Sequence, residues 1–220
     1  MRHVRIDVKL DLELETVAGT VTHTIEPLAL GLAEVALDAP GLSIRSATVN
    51  GANATFSIDG PRLRIALDRR YSAGETLDVR VGYEGSPNVG LYWVRPEDGY
   101  PNKPWQAWTQ GQDEDNRYWV PLYDFPNDRT TWETLLTVKA PLTAVSNGVL
   151  VGVTDAGDGW RTFHHRMDQP NSTYLIAFAV GAWERYADTW REKPVEYFVA
   201  PGVGEETARR SFGVTPEILE

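Results

Sequence analysis

The side chains that could carry chemistry are few and scattered. The chain has four histidines, His3, His23, His164 and His165, and no cysteine. A helical zinc site needs two histidines one turn apart, as in H-E-x-x-H, with a glutamate between them as base. No pair here has that spacing. His164 and His165 are adjacent in a run that reads as a strand, so their side chains point to opposite faces and do not share a metal. No G-x-S-x-G elbow, phosphate-binding loop or dinucleotide fingerprint is present. Two carboxylate pairs, Asp113 with Asp115 and Asp124 with Asp128, have a spacing suited to an acid and a base. In a chain of formal net charge -10, loop acids read more simply as solvated or capping groups.

The same charge balance argues against nucleic acid as a partner, because phosphate backbones are bound mainly by clustered Lys and Arg. It also argues against anionic membrane surfaces. The longest mostly apolar run, at 173–183, falls short of the roughly 20 residues a bilayer helix needs. The start, MRHVRIDVKL, has no apolar leader. Together with the lack of cysteine, this gives the expectation of a cytoplasmic protein.

The elements that would hold any site are strands. V-R-I-D-V-K-L-D-L-E-L alternates strictly, placing Val4, Ile6, Val8, Leu10, Leu12 and Leu14 on one face of a half-buried strand. Shorter alternations follow at Leu63, Ile65 and Leu67, and at Leu77, Val79, Val81 and Tyr83. Asn50-Gly51, Asp59-Gly60, Asn147-Gly148 and Asp158-Gly159 provide tight hairpin turns. The reading is all-β to about residue 200, a large antiparallel saddle-like β-sandwich.

Two stretches break the rhythm. From Gly85 to Asp128 the chain is dense in Gly, Pro, Trp and Tyr, a composition that points to an ordered functional loop rather than disorder. Trp105, Trp108 and Trp119 are the candidates for exposure there, while Trp132, Trp160, Trp183 and Trp190 read as core or sheet-packing residues. Exposed tryptophans could stack sugars. The favoured reading makes this loop the face that docks another domain. The second break is the C-terminus, where Glu205 to Phe212 suits a short helix ended by Gly213. Thr215 then fits an N-cap with Pro216 at the first helical position. A helix start with almost no helix gives the expectation that the protein continues past Glu220.

Four short patterns occur in order: T-Q-G-Q at Thr109 to Gln112, R-x-W-x-P-x-x-D-x-P at Arg117 to Pro126, A-V-S-N-G at Ala144 to Gly148, and Y-L-x-A-F-x-V-G at Tyr174 to Gly181. In these the chain resembles the aminopeptidase N family of zinc metallopeptidases, the gluzincin group that includes the leukotriene-hydrolase branch. The resemblance covers most of the sequence. It implies an N-terminal β-domain at 1–200, then a linker and the start of the zinc catalytic domain at 201–220. The partners it implies are that catalytic domain, in the same polypeptide, and a peptide N-terminus as substrate. No cofactor is expected in this chain, and one zinc ion is expected in the catalytic domain, so the 220 residues alone should be inactive. Gln112 aligns with the family's Glu or Gln that accepts a hydrogen bond from the substrate's α-ammonium group. A neutral amide oxygen should hold that cation less strongly than a carboxylate would. Gln110, two residues earlier, falls on the same face of an extended segment and would line the first specificity pocket.

Overall fold

The computed structural model describes residues 1–220. In chain order the strands are β1 (His3–Asp11), β2 (Thr16–Ile25), β3 (Leu32–Asp38), β4 (Ser43–Val49), β5 (Ala52–Asn53), β6 (Phe56–Asp59), β7 (Arg62–Tyr71) and β8 (Leu77–Gly85). Then come β9 (Leu91–Val94), β10 (Gln106–Thr109), β11 (Thr130–Lys139), β12 (Thr143–Ser146), β13 (Val149–Gly157) and β14 (Trp160–Asn171). The last elements are β15 (Phe178–Gly181), β16 (Glu184–Trp190), β17 (Lys193–Val199) and two helices, α1 (Glu205–Phe212) and α2 (Thr215–Ile218).

Eight strands form the main sheet, in the order β13-β14-β11-β1-β2-β8-β4-β5. A three-stranded sheet (β3-β7-β6) and a four-stranded one (β12-β15-β10-β9) are separate from it. One cluster of 33 buried residues joins all three, with Ile6 and Val81 from the main sheet, Leu37 and Ile65 from the second, and Ala107 and Val180 from the third. Pairing is antiparallel except between β1 and β11, which run parallel with Val4 beside Trp132. No hairpin forces the direction there, because β2 to β10 intervene before the chain returns as β11.

Within β1, Val4, Ile6, Val8 and Leu10 are all buried, as the alternation requires. The strand ends earlier than its hydrophobic pattern. The Asp11 carboxylate accepts the Glu13 and Leu14 N–H groups, each at 3.1 Å, and turns the chain. Leu12 stays buried, but Leu14 is 71% exposed. This local Asx hydrogen bonding outcompetes continuation of the strand.

The C-terminal hairpin β16–β17 lies outside the main cluster, and its buried apolar residues, with those of α1, are Tyr197, Val199 and Ala208. Helix α1 covers the residues expected and docks on the hairpin through Tyr197 stacked on Phe212 and an Arg209–Asp188 ion pair at 2.8 Å. Thr215 is not an N-cap. Val214 occupies that position in helical conformation, and the Thr215 hydroxyl donates backward to the Phe212 carbonyl. No helix is long and apolar enough to cross a membrane.

Candidate functional site

β10 runs antiparallel to β9 on one side and β15 on the other. From this strand into the loop beyond it, Ala107, Thr109 and Gly111 are buried while Trp108, Gln110 and Gln112 are exposed. The inward residues explain the register. Thr109 Oγ1 accepts the Phe178 N–H at 2.9 Å and closes the edge of β15. A Cβ on Gly111 would lie 2.4 Å from Asn116 Nδ2 and 2.5 Å from the Tyr174 carbonyl oxygen. Only glycine fits so close an approach. Gln110 is held through its backbone, donating to the Gly90 carbonyl at 2.9 Å. Both glutamine side chains therefore stand at the surface on a backbone that is itself fixed.

A polar network beneath them does the fixing. Asn116 is fully buried in a 3-10 turn at Asp115–Tyr118. Its amide donates to the carbonyls of Thr173 and Ile176 at 2.8 and 3.0 Å, and its oxygen accepts the Trp119 indole N–H at 2.7 Å. Asp124, also buried, accepts the Thr173 hydroxyl at 2.9 Å and the Arg117 N–H at 3.0 Å. Burial pushes the Asp124 carboxyl up from its ordinary range, while these two donors pull it back. Arg117 returns a bond to the Asp124 carbonyl at 2.6 Å and pairs with Glu114. From the opposite side, Ser146 donates to the Ala177 carbonyl at 2.8 Å, and Asn147 accepts the Ala177 N–H at 2.7 Å. Three of the sequence patterns thus meet on residues 173–181, the stretch that carries the fourth. The sequence did not single out Asn116 or Thr173, because a buried polar residue leaves no trace in hydrophobic periodicity. The one available signal was that both lie within or beside motif segments.

Trp119 corrects an expectation. It is fully buried with its ring edge against Phe178, centroids 5.1 Å apart, because the indole N–H has a buried acceptor in Asn116. Trp105 and Trp108 are exposed at 36% and 41%, and Trp132 is buried at 1%.

Around Gln112 the surface is acidic. Gln112, Asp113, Glu114, Asp115, Arg117 and Tyr118 line an open recess of about 600 Å³. A cationic amine entering there meets an amide acceptor beside carboxylates, a favourable combination for hydrogen bonding and Coulomb attraction. The second carboxylate pair does not form an acid–base couple, since Asp124 is enclosed by its donors and Asp128 pairs with the Met1 ammonium.

Two of the histidines share a carboxylate, since Glu133 lies 3.7 Å from His3 and 2.5 Å from His164. His3 Nδ1 meets the Thr131 hydroxyl at 2.8 Å, and His164 Nε2 meets the Glu133 carboxylate at 2.5 Å. His165 is buried on the other face. His23 Nε2 donates to the Pro121 carbonyl at 3.0 Å, tying the main sheet to the motif loop. Burial draws the His23 imidazole down from 6.5 to about 4, and the Pro121 bond offsets this in part. No three His, Cys, Asp or Glu side chains come together as a metal-holding group.

Comparison with known proteins places this arrangement. Leukotriene A-4 hydrolase of Xenopus laevis is 26% identical over 193 residues, covering 84% of this chain and 32% of the hydrolase. Transcription initiation factor TFIID subunit 2 of Gallus gallus is 24% identical over 235 residues, covering 87% of this chain and 20% of that protein. The chain therefore spans a third or less of these relatives. Among solved structures, an M1 zinc metallopeptidase E323A mutant from Deinococcus radiodurans, bound to a Tyr-Ser-Ala substrate, superposes with a TM-score of 0.76 at 23% identity. That match covers 94% of this chain and 51% of the other, and it shows the shared fold. The model of the peptidase M1 N-terminal domain matches residues 2–175, and the chain belongs to that family.

Proposed function

We propose that this chain is the substrate-anchoring and structural domain of a zinc-dependent aminopeptidase, one that removes N-terminal residues from peptides. Residues 1–200 act as the β-domain, and 201–220 lead into a catalytic domain of the same polypeptide that holds the zinc and performs hydrolysis. Gln112 accepts a hydrogen bond from the α-ammonium group of the bound peptide, and Gln110 lines the pocket for the first side chain. The observation that carries this reading is the convergence of three motifs on residues 173–181, the stretch that carries the fourth. That convergence fixes the backbone under two exposed glutamines and beside three acidic residues. Preorganised acceptors of this kind bind a cation without first paying to order themselves.

In the full-length protein, Gln112→Ala should lower kcat/KM for aminoacyl amides about tenfold to a hundredfold, the cost of one lost hydrogen bond to a charged group. Zinc content should not change. Unaltered kinetics would remove Gln112 from the site. A second reading, a non-enzymatic protein-binding scaffold, is favoured by the transcription-factor relative, since one fold hosts many functions. Failure of the full-length protein to hydrolyse any aminoacyl amide would favour it.

A further inference from the structure

The glutamine face also carries an aromatic pair to which amine anchoring assigns no task. Trp108 lies one exposed position before Gln110 and leaves 41% of its surface in water. Its cross-strand partner Tyr92 stacks against it, with ring centroids 4.8 Å apart and planes 25° apart. The pair is thus a supported shelf rather than a loose side chain. Beside Gln110 the neighbouring chain presents Gly90. Gly90 has a φ of +73°, and a Cβ there would sit 1.9 Å from the Asp115 carbonyl oxygen. The Asp115 backbone already fills that direction, so Gly90 packs the start of β9 against the loop that follows Gln112. At the far end, Gln112 is followed by Asp113, Glu114 and Asp115. Chemistry along the row therefore grades from acidic, through amide, to aromatic.

We propose that Trp108, backed by Tyr92, is a specificity-determining residue that receives a large planar first side chain, an aromatic ring or a guanidinium group, of a peptide whose amine is held at Gln112. The inference rests on the amine-anchoring reading. Charge places the ammonium at the acidic end. Trp108 then lies four residues of extended chain from Gln112, about 13 Å, a span filled by the amine hydrogen bond of about 3 Å, a phenylalanine or arginine side chain of about 7 Å and a stacking contact of about 4 Å. Rings and guanidinium groups both stack on an indole face.

The test compares hydrolysis of phenylalanyl, arginyl and alanyl p-nitroanilides by the full-length protein. Trp108→Ala should lower the Phe-to-Ala and Arg-to-Ala ratios of kcat/KM about tenfold and leave alanyl turnover near wild type. Trp108→Leu, which keeps bulk without a planar face, should lose the ratios likewise, while Trp108→Phe should keep them within about twofold. Gln112→Ala should slow all three substrates in parallel and preserve the ratios. Unchanged ratios in Trp108→Ala and Trp108→Leu overturn the proposal and leave amine anchoring intact. Equal loss on all three substrates in these variants also overturns it, and makes Trp108 a domain-docking residue. A Gln112→Ala variant without effect, alongside altered ratios in Trp108→Ala, removes the amine anchor and keeps the shelf. No hydrolysis by the wild type overturns both.

Discussion

The main sheet and the motif loop share one hydrophobic core, yet the loop adds a buried polar network to it. β1 buries Val4, Ile6, Val8 and Leu10 against other hydrocarbon, whereas the loop between Thr109 and Asp124 buries Thr109, Asn116 and Asp124 around Thr173 beside its apolar Trp119, Val120 and Leu122. Apolar contacts are non-directional, so a sheet core accepts side chains of similar volume. Asn116, Asp124 and Thr173 each have specific partners, and losing one strands the other in a medium that penalises it. The lesson is a division of tasks. Hydrocarbon makes the platform stable, and the polar network decides where Gln110 and Gln112 stand on it.

The largest test of that contrast is Trp119→Ala, which removes a fully buried ring and also orphans Asn116 Oδ1. It should cost about 3–5 kcal/mol in urea unfolding. Next comes the His23 link between the two regions. The unfolded chain takes up a proton near 6.5 and the folded one near 4. Between those values the unfolded state binds more protons, so stability falls as pH falls, by about 3 kcal/mol in full. His23→Gln should flatten the urea midpoint across that window. Asn116→Ala should cost about 1–3 kcal/mol, because the Thr173 and Ile176 carbonyls lose their donor. A loss no larger than that of a conservative core change such as Ile6→Val, about 1 kcal/mol, would collapse the distinction between the regions. The smallest effect belongs to Gln112→Ala. It should shift stability by less than about 0.5 kcal/mol, so any kinetic loss reports on substrate and not on folding.

Much of the platform was legible in the sequence. The alternation from Val4 to Leu10 described a real strand face, and Trp132 sits in the core it was expected to join. Leu14 failed the pattern because Asp11 offers its neighbours local hydrogen bonds that the ladder does not. Thr215 failed as a cap for a related reason: its hydroxyl found the Phe212 carbonyl before any free N–H. Trp119 was misjudged because its loop position suggested exposure, while its partner Asn116 carries no periodic signal. The structure leaves Gln110 and Gln112 both exposed, and their role in binding is what the kinetic variants measure.

By itself the sequence determined which side chains face inward along β1, β7 and β8, since a strand's two-residue period is set by local sterics and needs no partner. It also determined the family, through four short patterns in fixed order. Only the tertiary structure decided that β1 runs parallel to β11, that Trp119 lies inside, and that three of the patterns close on the fourth at residues 173–181. Those outcomes depend on contacts between residues tens of positions apart, such as Asp124 with Thr173 and Thr109 with Phe178. Whether such contacts repay the entropy of closing the intervening chain depends on the packed whole.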